Sequence, residues 1–311
     1  MAARTGRGVR WAHGGRAPAR AEVASPPVTT FEFEGVGGIR LVGDERGDPG
    51  APTVVLLHGG GQTRHSWGGT AQALAERGWR AITLDARGHG ESDWSPEQDY
   101  RLSSFAGDVE TFIGERLERP PFLIGASLGG LTSILLAGEL APGIARGVVL
   151  VDIVPDMEQA GADRIQQFMA EHALTGFASL EEVADAIAAY NPLRPRPTDL
   201  SGLRKNVRER DGRWYWHWDP AFVGGTADLP PSEISDTERL MADVATIVAG
   251  TPLLLVRGRV SDLVTQEKAD EFLAAFPTAE YVDVSGAGHM VAGDRNDAFT
   301  AAVIDFLERH R

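Results

Sequence analysis

The feature that most constrains this chain is a series of short, uninterrupted apolar runs separated by longer helix-like stretches. The runs are Val54-Val55-Leu56-Leu57, Ala81-Ile82-Thr83-Leu84, Phe122-Leu123-Ile124, Val148-Val149-Leu150-Val151 and Leu253-Leu254-Leu255-Val256. They do not alternate apolar with polar, so each reads as a strand buried on both faces, as in a parallel sheet. A further run at 280–284 reads as a late strand. Helical patterns at about 66–77, 103–118, 128–140, 265–275 and 296–309 fill the intervals, and this alternation predicts a doubly wound, mostly parallel α/β sheet.

The rhythm breaks between Pro155 and about Ala249. That stretch holds amphipathic segments at 164–173, 179–190 and 234–248, a proline-rich run at 191–197 and the cluster Trp214-Tyr215-Trp216-His217-Trp218. It reads as a mainly helical insertion at 155–249, with the core at 29–154 and 250–311. Residues 1–28 read as a disordered tail, because they are rich in Gly, Ala and Pro and lack apolar periodicity.

Charge narrows the partners. The net charge is −14, yet residues 1–21 carry five arginines and no acid, so the rest is five charges more acidic still. An acidic body of this kind repels nucleic acid and anionic membranes. No run of 18 apolar residues predicts a membrane span, and no apolar segment after the arginines makes a signal peptide; a cytoplasmic location is the expectation. The chain has no cysteine, which excludes disulfides, thiolate metal sites and a cysteine nucleophile.

Three patterns carry chemistry. Gly125-Ala126-Ser127-Leu128-Gly129 stands between a buried strand and a helix, which is where a serine nucleophile sits on a sharp strand-to-helix turn. His58-Gly59-Gly60-Gly61 follows another strand. Acyl transfer needs two preorganised N–H donors for the oxyanion, here the amide of Leu128 and that of Gly60, with Gly61 as the alternative. No Lys-Ser/Thr follows the glycines, so this is not a phosphate-binding loop. Gly286-Ala287-Gly288-His289-Met290 offers a general base. Of eight histidines, His172 and His217 fall in the insertion and His310 at the end of the chain, which leaves His289 to follow both Ser127 and a candidate acid, while His58 and His89 read as structural residues of glycine turns. Two strand-end carboxylates, Asp152 and Asp262, could each fix the imidazole tautomer.

With Asp85-Ala86-Arg87-Gly88-His89-Gly90-Glu91-Ser92-Asp93 added, these motifs resemble the α/β-hydrolase superfamily in order and spacing over roughly residues 30–311. Asp85 and Arg87 read as residues of a structural turn. The resemblance implies that 155–249 is a cap over the site. Val151-Asp152-Ile153-Val154-Pro155 resembles a subgroup of small esterases and thioesterases whose acid follows the earlier strand. The more widespread arrangement puts the acid in a Gly-x-x-Asp turn, whereas Gly258-Arg259-Val260-Ser261-Asp262 has its Asp one place late, so Asp152 is preferred.

The expectation is therefore a hydrolase cleaving a carboxylic ester, thioester or lactone of a small to medium apolar substrate through an acyl-enzyme, with no metal or organic cofactor. Trp214, Trp216 and Trp218 would share one face if extended, either packing the cap on the core or, with Met290, lining the pocket. A ligand-binding or signalling protein on this fold, a cofactor-free dioxygenase and a perhydrolase are the competing readings.

Overall fold

The computed structural model describes residues 27–192, 195–224, 236–289 and 296–311. Most of the expected tail, and Met290, lie outside the described residues. The chain begins with an antiparallel pair, β1 (Thr29–Glu34) and β2 (Arg40–Arg46), which the sequence reading did not single out. Six parallel strands follow: β3 (Thr53–Leu57), β4 (Arg80–Leu84), β5 (Phe122–Ala126), β6 (Gly147–Val151), β9 (Leu253–Gly258) and β10 (Glu280–Val284). Together they make one eight-stranded sheet ordered β1-β2-β4-β3-β5-β6-β9-β10, with β2 antiparallel to β4.

The uninterrupted apolar runs have a direct explanation in the packing. Alternate residues of each strand point to opposite faces, and both faces are covered. Val55, Leu57, Leu123, Val148, Leu150 and Leu255 join one core cluster with α2 (Leu102–Arg116) and α3 (Leu128–Leu135). Val54, Leu56, Ile124, Val149, Val151 and Val256 join the other, beneath α1 (Gly68–Ala75) and α9 (Asn296–Arg309). At about 1.5–3 kcal/mol for each fully buried aliphatic side chain, one polar residue inside these runs would be costly on either face. α8 (Gln266–Ala275) completes the core between β9 and β10. Among the described residues, no helix is long and apolar enough to cross a membrane.

Between β6 and β9 lie α4 (Gln159–Ala170), α5 (Leu180–Tyr190), α6 (Pro220–Gly224) and α7 (Thr237–Val248), and also a hairpin of β7 (Val207–Arg210) and β8 (Arg213–Trp216). The tryptophan-rich run is thus partly strand. Met169, Phe177, Val183, Trp216 and Trp218 give this region a small core of its own. α7 behaves differently: it buries Leu240, Val244 and Ile247 in the main core with Leu131 and Leu135 of α3.

The insertion is anchored on the turns that follow β3 and β4. His217 Nδ1 accepts from Gly90 N–H at 2.8 Å, and Asp219 N–H donates to Gly88 O at 2.9 Å. Tyr100 Oη donates to Asp219 Oδ2 at 2.5 Å. The turn beneath is held rigidly: buried Asp85 accepts from the amide and side chain of Arg64, and Arg87 forks onto Asp108 at 2.6 and 2.7 Å. Asp85 and Arg87 therefore stand as structural residues.

Candidate active site

Ser127 follows β5 at a backbone φ of +48° and ψ of −115°, and caps the start of α3. A non-glycine residue there carries strain of about 1–3 kcal/mol, which only tightly packed surroundings maintain. The flanking glycines explain how they do. A Cβ on Gly125 would lie 2.2 Å from Gly129 O, and one on Gly129 would lie 2.3 Å from Leu57 O. Strand, turn and helix therefore approach backbone to backbone, and only glycine fits.

The His58-Gly59-Gly60-Gly61 turn lies beside this serine, since a Cβ on Gly59 would be 3.2 Å from Ser127 Cβ. Gly59 N–H is used by Gln62 Oε1 at 3.1 Å, and Gly61 O accepts from His217 Nε2 at 3.3 Å. Gly60 sits between these two fixed points. Leu128 is the first residue of α3, so its N–H precedes the intrahelical ladder and points from the positive end of the helix.

His289 and Asp152 come together. His289 Nδ1 lies 2.7 Å from Asp152 Oδ2, and Asp152 is fully buried. Asp152, at the end of β6, also has a positive φ, +51°, a conformation Asp tolerates better than most residues. Its Oδ1 accepts from Gly258 N–H at 2.9 Å, and its Oδ2 accepts from Ser261 Oγ at 2.5 Å. Asp262 is elsewhere: it is exposed and paired with Arg164 Nη1 at 2.5 Å, fastening α4 to the loop after β9. The extra residue in that turn puts Ser261, not Asp262, against the imidazole's partner.

Ser127 and His289 line one cavity of about 300 Å³. Its apolar wall is Ile165, Phe168, Met169, Trp216 and Trp218. Trp216 stacks on Trp218, with ring centroids 4.7 Å apart. Among the described residues that line it Trp214 is absent. That ring instead carries the Arg204 guanidinium at 4.8 Å, and its backbone bridges Phe177. Of the three expected tryptophans, Trp216 and Trp218 line the cavity and Trp214 does not, because β8 ends at Trp216 and the chain turns inward after it.

Ser261, His217, Met169 and Phe222 are site neighbours that sequence reasoning did not assign. Three buried histidines surround the glycine turns, with His58, His89 and His217 ring centroids 5.4 and 5.9 Å apart. Burial pushes His58 and His217 below the usual imidazole range and His89 down to about 3. Neutral rings fit their partners. His58 Nε2 accepts from Ala86 N–H at 3.0 Å, which leaves Nδ1–H for Gly59 O at 2.8 Å. Among the described residues, no group of three His, Asp or Glu side chains is arranged to hold a metal ion.

A protein-family model described as alpha/beta hydrolase fold matches residues 52–295. Among curated proteins, the chain is 31% identical over 264 residues to esterase Rv0045c of Mycobacterium tuberculosis, covering 83% of each. It is 28% identical over 275 residues to the 3-hydroxybutyrate-oligomer hydrolase of Cupriavidus necator, covering 86% of this chain and 92% of that one. Among solved structures, it matches that of E-2-(acetamidomethylene)succinate hydrolase with a TM-score of 0.75 at 23% identity, over 91% of this chain and 100% of the other. The crystal structure of the M. tuberculosis esterase matches with a TM-score of 0.69 at 29% identity, over 91% and 92%. These relatives are named esterases and hydrolases, which supports a hydrolase function.

Proposed function

Because the chain belongs to the α/β-hydrolase family, we propose that it is a serine esterase cleaving carboxylic esters of small to medium apolar substrates. The observation that carries this reading is the His289–Asp152 pair in the cavity that Ser127 also lines. Ser127 Oγ attacks the ester carbonyl and passes its proton to His289 Nε2, the ring nitrogen not held by Asp152. Asp152 fixes the tautomer and stabilises the imidazolium. The amides of Leu128 and Gly60 hold the oxyanion. The C–O bond to the alcohol breaks as His289 returns the proton to the leaving oxygen. Water, deprotonated by the same base, then cleaves the acyl-enzyme and releases the acid and Ser127. Thioesters and lactones follow the same steps.

The insertion acts as the cap in this reading. Its aromatic and aliphatic wall matches an apolar acyl or alcohol group, and the small cavity favours short to medium chains. The test is hydrolysis of a p-nitrophenyl ester series, acetate through decanoate, by wild type and Ser127→Ala. Turnover should fall by roughly 10⁴-fold or more in the variant. Equal turnover in Ser127→Ala, or none on any ester in wild type, would overturn the esterase reading.

A further inference from the structure

Lys205 ends the short helical turn Ser201–Lys205 ahead of β7, and it lines the same cavity as Ser127 and His289. The lining has two characters. One part is the apolar wall of Ile165, Phe168, Met169 and the two stacked tryptophans; the other is polar, with Thr63, Ser66 and Asn206. Lys205 and Ser66 are exposed and the His65 side chain is half-buried, so the polar part is the solvent end.

The charge of that end is unusual for this chain. The protein has 44 Asp and Glu against 30 Lys and Arg, yet none of the described residues lining the cavity is acidic. Lys205 forms no ion pair with any described residue. The acids of the adjoining cleft face arginines: Arg64 pairs with Asp85 and Glu91, and Arg40 with Glu32, while Asp44, which Arg64 also holds, lies 3.8 Å from His65 Nδ1. His65 contributes no charge at neutral pH. Burial first, then the charge of Arg64, push it below the usual imidazole range, and nearby Lys205 adds to that push. Among the described residues, one fixed cation therefore stands at the open end of a half-apolar lining that holds no acid.

Resting on the serine-esterase reading, we infer that the preferred substrate is an ester with a carboxylate at the end remote from the scissile bond, and that Lys205 binds that carboxylate. The apolar wall holds the segment between carboxylate and ester. A lone ammonium selects by charge without demanding a fixed geometry, so Lys205 sets the preference for charge and the wall sets the spacing.

The experiment compares kcat/KM for two matched pairs. Mono-p-nitrophenyl suberate against p-nitrophenyl octanoate puts the charge on the acyl side; para-acetoxybenzoate against its methyl ester puts it on the alcohol side. In at least one pair the carboxylate member should be favoured by about fivefold, the scale of one exposed charge pair. That ratio should fall to near unity in Lys205→Met and invert in Lys205→Glu. In wild type it should also shrink as salt rises from about 20 mM to about 500 mM, where screening shortens to a few ångströms. The neutral member equalling or exceeding the charged one in both pairs, or a ratio unmoved in Lys205→Glu, would overturn the inference. If neutral esters are cleaved through Ser127 without a carboxylate preference, the esterase reading stands and this inference alone falls. If no ester is cleaved, or cleavage survives in Ser127→Ala, the esterase reading itself falls.

Discussion

Asp152 Oδ2 receives hydrogen bonds from both His289 Nδ1 and Ser261 Oγ, while Oδ1 receives the Gly258 amide. Three donors on one buried carboxylate hold it aimed, which is what orienting an imidazole requires. Asp152→Asn should then lower kcat by about 10⁴-fold, the scale of losing the orienting acid of such a triad. Asp262→Asn, which breaks only an exposed ion pair with Arg164, should stay within about twofold, since such pairs are worth little. Ser261→Ala removes one of two donors on Oδ2 and should lower kcat roughly tenfold with KM little changed, a part of which Ser261→Thr restores. Steady-state kinetics on one p-nitrophenyl ester check all three; equal losses in the two Asp variants would overturn the assignment. The sharp turn at Ser127 was legible in the sequence because the glycines around it answer a backbone contact that no other residue permits. The partner of His289 was legible only as a choice, since two carboxylates stand at strand ends. Ser261 went unread because the search was for carboxylates. Its signal was there: it fills the fourth place of the Gly258–Ser261 turn, where the wider family carries its Asp.

At the scale of elements, the core strands were plain from the sequence because burial on both faces leaves their centres apolar, with Thr83 the one polar residue in the five runs. The insertion was harder. The run 213–218 reads as aromatic core, but its pairing with 207–210 needs Asp211-Gly212, both at positive φ, to turn the hairpin. Helix α7 was grouped with the insertion by its place in the chain, although its apolar stripe packs on α3. That docking has a local cost. A Cβ on Gly138 would lie 2.4 Å from Asp243 Cβ, so α7 crosses α3's continuation closely and buries Asp243. Its Oδ2 has no hydrogen-bond partner. Burial first, then the charge of Glu139, raise Asp243 to about 6. An acid raised in the folded state costs nothing below its ordinary range of about 4, costs increasingly as pH rises to about 6, and costs a constant amount above that. Asp243→Asn should therefore stabilise by about 1 kcal/mol at pH 8, and the gain should fall to about half at pH 5 and vanish near pH 4. Urea denaturation of both proteins at pH 8, 5 and 4 measures this; a destabilised variant at pH 8 would show that the carboxylate is satisfied by solvent.

At the scale of the whole molecule, the contacts that join insertion to core were the least legible, because they link residues far apart in sequence and their geometry is set only by the completed fold. His217 reaches Gly90 across 127 positions and Gly61 across 156. With His58 and His89 it forms a buried layer between the turns after β3 and β4 and the insertion above them. That layer makes the assembly sensitive to acid. All three rings have their affinity for protons lowered by burial, whereas in the unfolded chain each titrates near its ordinary value of about 6.5. Below that pH the unfolded state takes up protons that the folded state refuses, so stability falls as pH falls, and keeps falling until the folded rings themselves protonate. Each buried imidazole contributes up to about 1.4 kcal/mol per pH unit, and the three together should remove about 3 kcal/mol between pH 6.5 and 5.5. Most carboxylates titrate lower, and the Asp243→Asn background removes one that titrates in the same window. Urea unfolding in that background at pH 7.5, 6.5 and 5.5 should show a nearly flat segment followed by a steep loss. A stability that stays level down to pH 5.5 would mean that these imidazoles accept protons inside the fold, and that the histidine layer opens without unfolding the chain.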